Sequence, residues 1–151
     1  MRLARHIAIL GATVVIASGC SVLGIDSDLE AELKDQRRAW LSQRYTNYSY
    51  EFQRSCFCGD VRPVIITVRN EEVSSVVIKE TGEPVTQYLE GYMTITDLYA
   101  YLIESAERRP HRMSVDFNDL HHIPRVVSID FEKNTADDEL SLTLSNIFFD
   151  E

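Results

Sequence analysis

The chain has 151 residues, of which 44% are hydrophobic and 26% charged, and its formal net charge is −9. A protein this acidic repels phosphate backbones, so we expect no nucleic-acid partner. The length suits one domain with a core of its own, and the hydrophobic content argues against a disordered acidic polymer.

The first 20 residues have the layout of a secretory signal. Arg2 and Arg5 precede an apolar run over residues 7–16, which is followed by small residues and then by Cys20. The run is about half the roughly 20 residues that a membrane-spanning helix needs. With a cysteine at the cleavage point, the segment resembles a bacterial lipoprotein signal. Ala17 stands where such signals carry a large aliphatic residue, so ordinary cleavage and an uncleaved anchor stay open as alternatives.

The resemblance implies that the chain is cut before Cys20, that the Cys20 thiol is diacylated, and that the new N-terminus is acylated too. Such a three-chain anchor holds a protein stably at a membrane. Residues 1–19 are then a signal peptide, residues 20–27 a lipid anchor and short tether, and residues 28–151 a single domain that faces the periplasm. Ser21 after the cysteine favours the outer membrane.

The first half of the predicted domain is one helix followed by three strands. Leu29, Leu33 and Trp40 recur at helical spacing and predict a helix over residues 29–44. From Tyr48 the period changes to two, which indicates a strand that continues to the cysteines. Polar turn residues then separate two further strands and end the meander; the strands cover residues 64–68 and 76–78, and the turns lie at residues 59–60, 70–72 and 82–84.

The second half repeats this order. Thr94, with Asp97 three residues later, resembles a capping box and predicts a helix that ends at residues 108–110. Period-two alternation then predicts three strands, over residues 113–117, 127–131 and 140–144. Alternating strands bury one face, which two amphipathic helices can cover. The predicted fold is therefore α+β, with two layers: an antiparallel sheet of about six strands covered by two helices, in the order α-β-β-β-α-β-β-β.

Several of these features occur in an order that is informative as a set: Trp40 ahead of a tyrosine-rich strand, the Cys56-x-Cys58 pair, a helix that begins at Thr94, and the closing segments Val115-Asp116-Phe117, Ile123-Pro124, Ser128-Ile129-Asp130 and Asp137-Asp138-Glu139. Over residues 40–147 the chain resembles a family of small bacterial secreted proteins and lipoproteins known only as a domain of unknown function. The resemblance implies the fold and an envelope location, and it assigns no catalytic residue. Where the family pattern has glycine, this chain has Asn70-Glu71-Glu72 and His121-His122.

Cys56 and Cys58 are the sharpest chemical feature of the domain. If Cys20 carries lipid, they are the two remaining thiols, in a compartment that favours disulfides. Alternate Cα atoms of a strand lie roughly 6.5 Å apart, near the upper limit for a disulfide, so a bridge needs the bend that Gly59 permits. We favour a structural disulfide or a buried pair, and a redox pair and a soft-metal site are the alternatives.

His121 and His122 are the further ligands that a soft-metal site would need. Because adjacent residues on extended backbone point in opposite directions, they do not easily bind one ion, and we interpret them as loop residues. The second candidate is an oxygen-rich segment before the last strand. It lacks the glycine and glutamate of an EF-hand, which leaves an irregular calcium site or, preferably, a solvated turn; its residues are Asp130, Glu132, Asn134, Asp137, Asp138 and Glu139.

The sequence contains no glycine-flanked nucleophilic serine and no phosphate-binding glycine loop. We therefore predict a non-catalytic binding or structural module of the cell envelope, held at the membrane by its lipid, with an envelope protein as partner and with no cofactor and no metal. The alternative function is thiol-redox or metal binding through Cys56 and Cys58. An apolar patch on the open face of the sheet, with Phe57, Ile65 and Val77 as candidates, is expected to mark a binding surface.

Overall fold

The computed structural model of the protein describes residues 25–57, 61–135 and 137–150. The predicted signal peptide, the anchor at Cys20 and the second cysteine of the pair, Cys58, lie outside the described residues. The described residues form two helices and a six-stranded antiparallel sheet, in the predicted order. The elements are α1 (Ile25–Ser42), β1 (Tyr48–Cys56), β2 (Val64–Arg69), β3 (Glu72–Ile78), α2 (Ile95–Glu107), β4 (Arg112–Asn118), β5 (Ile123–Asp130) and β6 (Glu139–Phe149).

Some element boundaries differ from those predicted. Helix α1 begins at Ile25, earlier than expected, and ends at Ser42 rather than at Arg44. Arg44 has a φ of 56°, in the left-handed region that commonly follows a helix end. Strand β6 continues to Phe149 because it pairs with β1 along its length. None of the helices among the described residues is sufficiently long and apolar to span a membrane.

The strand order across the sheet is β3-β2-β1-β6-β5-β4. The long strands β1 and β6 lie in the centre and join two three-stranded halves, one from each half of the chain. Both helices cover the same face of the sheet, because the alternate residues of the strands that are buried belong to one core cluster with α1 and α2. The opposite face of the sheet has no helix on it among the described residues, and we call it the open face.

Strand pairing defines two ends of the sheet. At the Cys56 end, β1 ends at Cys56 opposite Leu140, and the first residue of β4, Arg112, lies opposite the last residue of β5. At the Tyr48 end, β1 begins at Tyr48 opposite Phe149. Nine residues of β1 separate the two ends, a distance of about 26 Å at the usual rise of a strand.

The start of α2 is held against the core by side chains of β1. The Tyr48 hydroxyl accepts a hydrogen bond from the Ile95 amide at 2.9 Å, and the Tyr50 hydroxyl donates to the Met93 carbonyl. The Thr94 hydroxyl accepts from the Asp97 amide at 3.1 Å, which confirms the predicted cap. The Tyr48 hydroxyl thus satisfies a backbone N–H that the start of a helix leaves without a partner.

The two places where the chain lacks an expected glycine are strained turns. Asn70 and Glu71, between the paired residues Arg69 and Glu72, have φ values of 50° and 65°. His122 has a φ of 54°. Glycine adopts this left-handed region without cost, whereas other residues adopt it at a cost in free energy. The backbone shape of both turns is therefore the one that glycine favours, although the residues are larger.

Candidate functional site

A straight row of four serines crosses the open face. Ser141 of β6 lies opposite Ser55 of β1 and opposite Ser128 of β5, and Ser128 lies opposite Ser114 of β4. Neighbouring strands lie about 4.8 Å apart, so the row places one serine on each of four adjacent strands at this spacing. None of the four side chains has a hydrogen-bond partner among the described residues, so their donors and acceptors face the solvent or a ligand.

The row borders a shallow cleft of about 510 Å³ at the Cys56 end of the open face. The next row towards this end is charged, because Arg112 lies opposite Asp130 and Asp130 opposite Glu139. Phe57, which follows β1, lines the same cleft and exposes most of its ring. The cleft thus combines hydroxyls, charged groups of both signs and one aromatic ring.

The aliphatic candidates of the open face lie to one side of this row. Ile65 of β2 is opposite Val77 of β3, and both are half-buried. Beside them, the Glu51 carboxylate accepts a hydrogen bond from the Lys79 ammonium at 2.7 Å and one from the Ser145 hydroxyl at 3.3 Å. The bond from Lys79 is the main reason that the pKa of Glu51 is lowered. The centre of the face is consequently polar. The predicted patch is divided, because Ile65 and Val77 lie at the β2–β3 edge whereas Phe57 lies at the Cys56 end.

A second cleft forms where β5 and β6 separate. Their pairing ends at Val126 opposite Thr143, although β6 continues to Phe149 and β5 begins at Ile123. The gap between the two strands has a volume of about 550 Å³ and lies towards the Tyr48 end. Pro124 occurs in this stretch of β5, where its missing N–H disrupts no pairing with β6.

On the helix-covered face, the Cys56 end is closed by Arg54. Its guanidinium lies 5.7 Å from the ring centroid of Phe52 and 5.9 Å from that of Tyr92, and it donates to the Gly91 carbonyl. A Cβ atom on Gly91 would lie 2.9 Å from both terminal nitrogens of Arg54. Gly91 is therefore needed for the close approach of the guanidinium to the backbone.

Residues 32–148 match the sequence model of a family of unknown function, DUF6174. The chain belongs to this family. The match extends over both helices and all six strands, apart from the first residues of α1 and the last of β6. It confirms the predicted domain of unknown function. Among curated proteins, none matches the chain.

In the DUF6174 domain, Cys56 is the last residue of β1, and its side chain is half-buried. It lines the serine-row cleft and also a neighbouring cleft that contains Arg54 and Gly91. Its neighbour Cys58 is outside the described residues. The predicted pairing of the two thiols therefore stays a prediction.

The histidines lie at the Tyr48 end, about 26 Å from Cys56 by the length of β1. The His121 ring is 4.7 Å from that of Phe149, and His122 Nδ1 is 2.8 Å from the Gln36 side chain. The His121 carbonyl accepts from Gln43 of the segment after α1. Both residues attach a loop to the helix layer, so the structure does not bring them to Cys56 as ligands of one metal.

The oxygen-rich segment is not folded as a calcium loop. Asp130 and Glu139 are paired across two strands, and Glu132 accepts a hydrogen bond from the Thr135 hydroxyl at 3.1 Å. Both carboxylate oxygens of Asp138 are buried without a hydrogen-bond partner. Within residues 25–57, 61–135 and 137–150, no group of three acidic, cysteine or histidine side chains is placed to hold a metal ion.

Sequence reasoning missed the two most distinctive features of the site. Arg54 lies two residues after Phe52 and four after Tyr50, so it is on the same face of β1 as these core residues. The alternation of β1 was therefore the signal that could have placed Arg54 on the helix-covered face. The serine row had no signal in the sequence, because each serine lies on a different strand and only the pairing register aligns them.

Proposed function

We propose that this DUF6174 protein is a bacterial cell-envelope lipoprotein, anchored through Cys20, whose domain is a non-catalytic binding module at a membrane surface. The basic, apolar and small-residue segments that precede Cys20 support the anchor. Ser21 favours the outer membrane, with the domain facing the periplasm. The observation that supports binding is the open face, because its four unpaired serines offer aligned hydrogen-bonding groups to a partner.

The anchor is tested by expressing the full chain and Cys20→Ser in a bacterium that matures lipoproteins. We expect the wild-type protein in the membrane fraction, with an intact mass equal to a chain that begins at Cys20 and carries three acyl groups. The variant should leave the membrane fraction. A mature chain that begins elsewhere and carries no acyl group would contradict the proposal.

The binding face is tested by photo-cross-linking in cells. A photoreactive amino acid at Ser128 lies on the open face, and one at Arg38 lies on the exposed side of α1 as the matched control. We expect one envelope protein, identified by mass spectrometry, to cross-link from position 128 and not from position 38. Ser141→Arg should abolish that adduct because a long cation then blocks the serine row. Identical adducts from both positions would overturn the assignment of the open face.

We also propose that Cys56 and Cys58 form a structural disulfide at the end of β1. The position of Cys56 at the strand end, where the chain leaves the sheet, supports a bridge across one intervening residue. A ring this small removes little entropy from the unfolded chain, so the stabilisation is modest. The second candidate, a thiol-redox pair, is favoured by the half-exposed position of Cys56 beside two clefts.

Alkylation of the purified periplasmic form distinguishes these two candidates. For a structural bridge, we expect two alkylated thiols only after reduction, and replacement of both residues by serine should lower the urea midpoint without changing cell phenotype. A pair found partly reduced in cells, whose replacement leaves stability unchanged, would instead support the redox function.

A further inference from the structure

The Cys56 end exposes four large apolar side chains on two neighbouring connections. Phe57 is 83% exposed and Val61 41% exposed, and both lie between β1 and β2. Tyr88 is 68% exposed and Leu89 is 49% exposed, and only Glu90 separates them from Gly91. The two connections meet, because Phe57 and Gly91 line the same cleft. Exposed apolar groups of this size indicate contact with another surface. Because Leu41, Leu120 and Phe148 are exposed at the Tyr48 end as well, the place where the chain enters the domain decides between the two ends.

The chain enters the domain at the same end. The Trp40 indole donates to the Thr96 hydroxyl at 3.2 Å, and the Lys34 ammonium is 3.8 Å from the Glu107 carboxylate. The start of α1 therefore points towards the end of α2. From there the chain continues to Arg112, which lies at the Cys56 end opposite Asp130.

The segment that connects the proposed anchor, Cys20, with the domain is short. Five residue steps connect Cys20 with Ile25, the first residue of α1. A chain of this length reaches at most about 18 Å even when fully extended. If Cys20 carries lipid, the Cys56 end is therefore the part of the domain nearest to the bilayer.

We propose that the Cys56 end rests on the lipid surface, with Phe57, Val61, Tyr88 and Leu89 in the interfacial layer of the bilayer. This inference rests on the proposed lipidation of Cys20. Aromatic rings with a polar edge and aliphatic side chains are the groups that enter this layer, and they add to the hold of a lipid anchor. The strands then point away from the membrane, so that the serine row of the open face lies close to the bilayer and the Tyr48 end lies about 26 Å farther out.

The charges around the cleft that contains Phe57 and Gly91 favour one type of lipid. Glu90, Asp137 and Glu139 surround the same cleft as Phe57, with Arg54 as its one base among the described lining residues. Anionic headgroups repel such a surface. The occupant that fits is therefore a zwitterionic lipid surface.

The proposal is tested with the lipidated full chain in phosphatidylcholine vesicles whose acyl chains are brominated, since bromine quenches tryptophan emission nearby. The probe is Phe57→Trp, and the matched control is Phe148→Trp, because Phe148 is 65% exposed at the opposite end. Trp40, the one native tryptophan, is 2% exposed at the Tyr48 end and gives both variants the same background. We expect about a twofold loss of the emission that Phe57→Trp adds, and little loss for the control.

Equal quenching of the two variants in vesicle-bound, lipidated protein would overturn the lipid contact while leaving the anchor intact. A protein whose intact mass shows no acyl groups would overturn the anchor and this inference together. Vesicles with anionic lipids should weaken the quenching of Phe57→Trp. Stronger quenching there would contradict the choice of a zwitterionic surface.

Discussion

At the scale of single residues, Arg54 shows how a charged side chain is accommodated on the core face of a sheet. Its guanidinium lies over the rings of Phe52 and Tyr92 and bonds the Gly91 carbonyl. No carboxylate forms an ion pair with it in the part of the chain that the structure describes. Aromatic faces and a backbone carbonyl therefore replace a counter-ion, and they fix the connection before α2 against β1.

Arg54→Ala removes both ring contacts and the hydrogen bond to Gly91. We expect the free energy of unfolding to fall by about 1–2 kcal/mol. Urea denaturation followed by circular dichroism measures this loss. Arg38→Ala is the control, because Arg38 is exposed and pairs only with Asp35 on the helix surface, so its loss should stay below about 0.5 kcal/mol. Equal losses in the two variants would show that the Arg54 contacts do not stabilise the domain.

At the scale of elements, the β2–β3 hairpin is closed by two residues in the left-handed region. Positive φ at both central positions is the geometry that matches the twist of paired strands, and it favours the sequence Asn-Gly. Asn70 fits the first position and Glu71 does not fit the second. The Glu71 amide still donates to the Thr46 carbonyl at 3.0 Å, so the turn is held by backbone bonds that any residue can make.

Glu71→Gly should stabilise the protein by about 0.5–1 kcal/mol, because the relief of backbone strain exceeds the added entropy of the unfolded chain. Thermal unfolding is the measurement. Glu71→Ala shortens the same side chain but keeps the Cβ atom, so we expect no gain from it. A gain of the same size from alanine would mean that the side chain, not the backbone, is the source of strain.

At the scale of the whole molecule, one buried layer of tyrosines connects the sheet to the helices. Burial raises the pKa of Tyr48 from 10.0 to about 12, and burial also raises the pKa values of Tyr50 and Tyr99. The folded protein keeps these protons where the unfolded chain releases them. Stability from the neutral phenols is therefore complete below pH 10 and is lost as the pH rises from 10 towards 12.

We expect the urea midpoint to be constant near neutral pH and to fall above pH 10, in step with tyrosinate absorbance at 295 nm. Tyr48→Phe should flatten part of this alkaline slope. The same variant should also lower stability at pH 7 by about 1–3 kcal/mol, because the Ile95 amide loses its acceptor. Tyr88→Phe, at an exposed position, is the control. A slope unchanged in Tyr48→Phe would contradict this origin of the alkaline unfolding.

Much of the fold could be predicted from the sequence because its signals are local. The alternation from Tyr48 to Phe52 and the cap at Thr94 act over a few residues, and the structure has both. The predicted end of β6 was wrong, since its last residues are strand only through their pairing with β1. The candidate site could not be predicted from local signals, because the serine row and the contact of Arg54 with Gly91 join residues that are distant in the chain.

The sequence by itself determined the class of fold, the order of its elements and the family, and the proposed anchor at Cys20 rests on the sequence alone. Only the tertiary structure decided which side chains meet. It placed the histidines and Cys56 at opposite ends, aligned Ser114, Ser128, Ser141 and Ser55 in one row, and directed the start of α1 towards the end of α2. The reason is that backbone periodicity reports the local conformation, whereas register and the position of each end arise from pairing between segments far apart in the chain.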